Sequence, residues 1–292
     1  MSVKDRIAQG KFIITAEIGP PKGKETAKVL ATAQGLLPYV DAVNVTDLQS
    51  AVMRLGSLAI CILLRQRGIE PIMQVACRDR NRLALQSDIL SAAAHGISNI
   101  LILTGDHPVL GDHPDAKPVF DLDSVQLLEV VKRLEEGFDM QGNKLEGEPP
   151  HFYKGAVVNP GARPLEPQIL KMEKKIEAGA EFFQTQGVYD IKVFEHFIHK
   201  TRHLKVPILA GIIPLKSDAM ARYINKNLAG VSVPDALIRQ MQEAQNKAQE
   251  SIAIASSLIK ELKGMCQGIH LMALGWERFI PEILASAEIQ RK

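Results

Sequence analysis

Cysteine is scarce in this chain. Its three copies, Cys61, Cys77 and Cys266, are far apart, odd in number and without Cys-x-x-Cys spacing. That pattern excludes a disulfide framework, and it removes the thiolate sets of a zinc site or an iron–sulfur cluster held by this chain alone. Reduced thiols, and with them a cytoplasmic address, are the expectation. An excess of one charge is also missing: 35 Lys and Arg interleave with 33 Asp and Glu, giving a net charge of +2 and no basic footprint for nucleic acid. No apolar run reaches the length of a membrane span, and the N-terminal MSVKDRIAQGKF lacks the basic-then-apolar order of a secretory signal. Nor does a GxGxxG fingerprint open any helix, which counts against a dinucleotide-binding doubly wound sheet.

What is present is the balance of a folded chain, 46% hydrophobic and 23% charged, with 16 Pro spread along it. Short runs rich in β-branched residues are each followed by turn residues and a longer segment of helical periodicity, about eight times over. Strands are expected over 12–18, 41–45, 71–75, 99–103, 156–158, 182–185, 207–213 and 268–273. Helices are expected over 26–36, 51–67, 82–95, 124–138, 167–178, 193–201, 218–227 and 234–263. Asp123 and Ser124 supply N-cap chemistry, and Gly35, Gly68, Gly96 and Gly179 stand near helix C-termini, where a left-handed residue is wanted. The expected architecture is a single-domain (β/α)8 TIM barrel over residues 1–292, with no separate regulatory domain. Two connections, 104–122 and 137–154, exceed the usual βα joint; the first follows a strand end and is the better candidate for function.

In such a barrel the site is assembled from the C-terminal ends of the strands. The first strand, in ITAEIGPPKG, delivers Glu17 just before Gly-Pro-Pro; the second delivers Asn44, Thr46 and Asp47; the third delivers Gln74, Cys77, Arg78 and Asp79. The fourth ends in Thr104, Gly105 and Asp106, the fifth in Asn159 and Arg163, and the sixth in Gln184, Gln186 and Asp190. The seventh adds Pro214, Lys216 and Asp218, and the eighth His270, Met272 and Trp276. This rim lacks the His and acid set of a catalytic metal, so no metal site is expected. A glycine-rich phosphate cradle after the seventh and eighth strands is absent, as is a Schiff-base lysine within a strand. What remains suits a heterocycle held by hydrogen bonds.

The motifs AEIGPPKG, VNVTD, ILTGDHP, KMEKKIEAGAEFFQTQGVYD and GIIPL, in that order, resemble the methylenetetrahydrofolate reductase family, and closest in appearance is its short bacterial form. The resemblance implies a flavin barrel that passes hydride to the one-carbon bridge of 5,10-methylenetetrahydrofolate. It implies that Glu17 protonates the departing nitrogen as the folate ring opens, a task for a general acid. Read from the residues alone, Glu17 could instead cap a turn or pair with Lys22. Asp106 corresponds to an aspartate between flavin and pterin, where an anion stabilises a cationic iminium. As cofactor contacts the resemblance implies Thr46, Gln74, Thr104, Gly105, Asp106, Asn159, Arg163, Gln168 and Lys175. Gln74 stands where related enzymes carry His, and Thr104 where they carry Arg. Gln186 corresponds to a pterin-binding glutamine, so Glu17, Asp106 and Gln186 are the implied substrate contacts.

The implied cofactor is FAD, with FMN as the alternative, reduced by NAD(P)H or by a partner-supplied donor. A stacking Phe expected after GIIPL is replaced by KSDAMA, and ALGWE replaces a TLNR-like segment. Both departures resemble acetogen enzymes whose flavin subunit associates with a small iron–sulfur or zinc partner. A homo-oligomer or such a complex is therefore the expected assembly. Two rivals stay open: a flavin-free pterin-binding methyltransferase barrel, and a non-catalytic folate-binding subunit. His270, the cysteines, Tyr189, Phe194 and Phe197 are expected to be packing residues, and Lys171 and Lys174 to lie on a solvated helix face.

Overall fold

The computed structural model describes residues 2–289. Eight strands close into a parallel barrel in chain order: β1 (Ile13–Ile18), β2 (Ala42–Val45), β3 (Pro71–Ala76), β4 (Asn99–Leu103), β5 (Tyr153–Val158), β6 (Phe182–Gly187), β7 (Ile208–Ile212) and β8 (Gly268–Leu271). The period-two alternation of a strand decides what each presents. On β1, Ile14, Ala16 and Ile18 turn outward into the cluster shared with the helices, while Ile13 joins the barrel interior. Thr15 and Glu17 share the face of Ile13.

The lower barrel is dry. Ile13, Ala42, Ile72, Leu101, Tyr153, Phe182 and Leu209 fill it, and Val3 of α1 (Val3–Ala8) closes the bottom. The Tyr153 and Phe182 rings stack at 4.7 Å between centroids. A Cβ on Gly155 would stand 2.3 Å from the Phe182 ring, so the glycine makes that packing possible. Above this apolar floor the inward residues become Thr15, Asn44, Gln74, Gln184 and His270, all buried. Buried polar side chains need hydrogen-bond partners, and the site grows out of this layer.

Around the barrel run α2 (Ala27–Leu36), α3 (Ser57–Arg65), α4 (Arg82–Ala94), α5 (Ser124–Glu135), α6 (Glu166–Glu177), α7 (Ile191–Thr201), α8 (Asp218–Asn227), α9 (Asp235–Glu243), α10 (Lys247–Leu262) and α11 (Ile280–Ser286). Asp123 caps α5 in a reciprocal box with Gln126. Gly68, Gly96 and Gly179 are left-handed at helix ends as expected, whereas Gly35 lies inside α2. The expected helix over 234–263 is two helices, because Asn246 caps a new start at α10. That over 51–67 begins only at Ser57, after a turn that leaves helical geometry. Neither α1 nor α11 was expected from the sequence.

β5 begins at Tyr153 rather than 156, which puts Lys154 inside a strand, contrary to the expectation of no strand lysine. Lys154 lies near the start of β5, at the end of the barrel away from the mouth. Its ammonium is 2.6 Å from Glu135 and 3.4 Å from Glu181. It is an ion-paired structural cation. Among the described residues no helix is long and apolar enough to cross a membrane.

Candidate active site

Glu17 stands at the mouth of the barrel, buried, on the inward face of β1. One carboxylate oxygen, Oε1, accepts from Gln49 Nε2 at 2.9 Å, and Oε2 accepts from Gln74 Nε2 at 3.1 Å. His270 Nε2 lies 3.6 Å from Oε2, and the other ring nitrogen, Nδ1, is 2.9 Å from Thr15 Oγ1. Below them Asn44 and Gln184 exchange amide hydrogen bonds at 2.8 and 3.2 Å, and Gln184 reaches Thr15 at 3.4 Å. The acid thus rests on a continuous buried polar layer drawn from β1, β2, β3, β6 and β8. Lys22 does not pair with Glu17; its ammonium is bonded to Asp112 in the β4 loop.

The rim over β2 to β4 is fastened by two arginines. Arg78 is 2% exposed and pairs with Asp79 at 2.7 Å, while its guanidinium also donates to the carbonyls of Leu48 and Asp106, each at 3.1 Å. Arg80 bonds Asp47 and, at 2.7 Å, Asp88; Asp47 also accepts from the Ala76 amide at 2.8 Å. Burial pushes the Asp47 carboxyl upward against the pull of Arg80, and the same pairing holds Arg80 charged. Between these anchors Thr46 Oγ1 is buried with no hydrogen-bond partner among the described residues. Gly105 is left-handed (φ +89°), and a Cβ there would press on Arg78 at 3.1 Å. The Asp106 side chain is exposed and bonded to no described residue. Thr104 Oγ1 donates to Ser124 Oγ at 3.2 Å.

On the β5 and β6 side the expected residues diverge. Asn159 fastens loops, donating to the Ala229 carbonyl at 2.7 Å and accepting from Gly161 N at 3.2 Å. Arg163 is exposed and lines a cavity of about 480 Å³ with Pro160, Tyr189, Asp190, Lys226 and Leu228. None of Glu17, Thr46, Gln74 or Asp106 lines that cavity. Gln168 sits half-buried in the first turn of α6. Lys175 is buried, donates to the Val157 carbonyl at 2.7 Å, and is lowered to about 8 by burial and then by Lys171. Gln186 is exposed, two residues beyond Gln184 on β6.

Glu17 and Gln74 are brought into direct contact, Thr46 and Gly105 lie on the same quarter of the rim, and Asn159, Gln168 and Lys175 stand apart around β5 and α6. Phe194 and Phe197 are fully buried, and the Tyr189 hydroxyl donates to the Ile213 carbonyl at 2.8 Å, so all three pack as expected. The cysteines are buried thiols, with Cys77 pushed up to about 12 and Cys266 to about 11 by burial. His270, expected to be a core residue, is buried but faces Glu17. Gln49 was missed altogether, since no local signal marks a loop glutamine that folds back onto a strand. Arg78 was named on the rim without a role; its flanking Asp79 was the available hint. On the β7–β8 side, Lys216 bonds the Leu274 carbonyl and lies 5.7 Å over the Trp276 ring.

The family model described as methylenetetrahydrofolate reductase matches residues 2–288. The chain belongs to the methylenetetrahydrofolate reductase family. Methylenetetrahydrofolate reductase 2 of Schizosaccharomyces pombe is 24% identical over 99% of this chain but only 47% of its own length, so the chain spans about half of that relative. The 5,10-methylenetetrahydrofolate reductase of Pectobacterium carotovorum is 23% identical over 87% of this chain and 81% of its own length. Among solved structures, a Clostridium thermocellum protein described as binding two copies of 5-methyl-5,6,7,8-tetrahydrofolic acid superposes with a TM-score of 0.69. It is 18% identical and covers 98% of this chain and 97% of its own, a likeness of fold.

Proposed function

We propose that this chain reduces 5,10-methylenetetrahydrofolate to 5-methyltetrahydrofolate with a bound flavin, Glu17 acting as the general acid. The observation that carries this reading is Glu17 itself: a buried carboxyl at the barrel mouth, held by neutral amides, in a chain that the family model spans nearly end to end. Opening the folate's five-membered ring needs a proton on the departing nitrogen, and a buried carboxyl held at the barrel mouth is placed to deliver it. Folate as the ligand class is supported by the methyltetrahydrofolate described for the C. thermocellum neighbour.

The proposed seat of the flavin ring is the rim over β2 to β4. The buried, unpartnered Thr46 hydroxyl awaits a polar edge, and left-handed Gly105 keeps side-chain bulk off the backbone there. Held there, a flavin would supply hydride for the one-carbon bridge. Thr46, Gln74, Thr104, Gly105 and Asp106 would hold the ring of FAD, or of FMN. Asn159, Arg163, Gln168 and Lys175 would hold the rest, with the unpaired Arg163 suited to a phosphate. Asp106 would favour a cationic iminium on the substrate, and Gln186, with a free amide at the mouth, would read the pterin edge.

Glu17→Gln tests the assignment. The variant should keep a wild-type flavin spectrum and folate affinity while losing about 10²- to 10⁴-fold in turnover. Full activity in Glu17→Gln would remove the acid from its role, and a colourless wild-type protein that still binds folate would favour the flavin-free methyltransferase reading.

A further inference from the structure

The turn that leaves β2 is strained. Leu48 (φ +47°), Ser50 (φ +57°) and Ala51 (φ +56°) are all left-handed, and none is glycine. Such a run persists only where its surroundings enforce it. Two contacts do so. The buried Arg78 guanidinium donates to the Leu48 carbonyl and to the Asp106 carbonyl of the β4 loop, both at 3.1 Å. Gly111 of the same loop lies so close that a Cβ on it would stand 1.9 Å from the Ala51 carbonyl oxygen. Asp112 adds a third tie, accepting from the Met53 amide at 2.9 Å. The side chain carried by this clamped turn is Gln49, and its amide ends on Glu17.

We propose that Gln49 is a positioning residue for Glu17: the left-handed turn, held by the β4 loop, sets its amide on one carboxylate oxygen and so governs where the carboxyl faces and how readily it takes a proton. The proposal rests on the reading of Glu17 as proton donor. An N–H donor bonds a carboxylate oxygen more strongly than a neutral carboxyl oxygen, so taking the Gln49 amide away removes a contact that the carboxylate form uses more. Gln74 is buried within β3, whereas Gln49 is half-buried on a loop, so its place depends on the turn that carries it. Gln49 is therefore the partner whose placement on Glu17 the clamped turn decides. As the ring opens, the Glu17 O–H bond breaks and its proton forms an N–H bond on the departing nitrogen. The C–N bond breaks with its electron pair kept by that nitrogen, leaving an iminium on the one-carbon bridge. Glu17 is then a carboxylate, which accepts the Gln49 N–H. The titratable side chain facing Glu17 is His270 of β8; Gln49, Gln74 and the β2 register partner Asn44 are neutral.

Infrared titration of the full chain, following the protonated-carboxyl band that Glu17→Gln abolishes, reads this directly. In Gln49→Leu the midpoint should rise by about one pH unit, a tenfold gain in proton affinity. The alkaline limb of the kcat profile should move the same way, with KM little changed. Gly111→Ala, which displaces the turn and leaves Gln49 in the sequence, should shift the midpoint in the same direction. An unmoved midpoint in folded Gln49→Leu overturns the positioning role. A midpoint that moves in Gln49→Leu but not in Gly111→Ala overturns the clamp. Should the midpoints move as stated in a protein that shows no reductase turnover, the assigned reaction fails and the hold of Gln49 on Glu17 stands.

Discussion

Lys175 shows how one buried charge ties stability to a proposed binding role. Burial and the neighbouring Lys171 lower its ammonium to about 8, against an ordinary 10.5 in the unfolded chain. Between those values the unfolded chain binds the additional proton, so this group makes stability rise with pH from about 8 to about 10.5. Below pH 8 the folded protein bears the full cost of the buried ammonium, on the order of 3 kcal/mol. Lys175→Met should therefore raise the urea midpoint at pH 7 and flatten the rise seen between pH 8 and 10. An unchanged slope in the variant would mean that Lys175 is solvated in the folded protein. A lysine kept at such a cost fits a residue retained for an anionic ligand, and its packing against the Val157 carbonyl places it under β5.

At the scale of elements, the segments after β7 and β8, where the sequence is expected to depart most from the resembled family, are bound to each other. Lys216 reaches across to the Leu274 carbonyl and over the Trp276 ring, whose neighbour Phe279 packs edge-on at 5.0 Å. A lysine and an indole joined in this way stand in the segments where the resemblance implies an open stacking Phe for a nicotinamide. On the proposed flavin reading, the resemblance implies a partner-supplied donor for such a chain. The flavin of the isolated chain should stay oxidised in NADH or NADPH over many turnover times and bleach with dithionite. Bleaching by NADH at the rate of turnover would contradict this.

The elements also mark where sequence stops being legible. Alternation in IITAEI already puts Ile13, Thr15 and Glu17 on one face, so the first strand and its acid could be read directly. β5 could not be read back to Tyr153, because Lys154 looks misplaced in a strand until Glu135 and Glu181, distant in sequence, neutralise it. The break between α9 and α10 has neither Gly nor Pro, and its one signal is Asn246, which accepts from Ala248 N and Gln249 N. Gln49 was invisible for a deeper reason. Its position depends on three non-glycine left-handed residues and a buried arginine, none of which leaves a local pattern.

At the scale of the whole molecule, the barrel is layered along its axis. An apolar plug sealed by α1 lies at the bottom, a layer of amides, Thr15 and His270 lies above it, and Glu17 stands at the mouth. The plug excludes water from below, which strengthens the hydrogen bonds of the polar layer. The loops of β2 and β4 are locked together above it through Arg78, Asp112 and Gly111, so the two proposed catalytic residues, Glu17 and Asp106, belong to one connected rim. The most direct test of this account is the isolated oxidative half-reaction. The purified protein, with its flavin reduced by dithionite under anaerobic conditions, is mixed with 5,10-methylenetetrahydrofolate, and flavin absorbance and folate product are followed together. Reoxidation of the flavin with stoichiometric 5-methyltetrahydrofolate, slowed about 10²- to 10⁴-fold in Glu17→Gln, is the predicted result. Flavin that remains reduced in the presence of bound folate would contradict it.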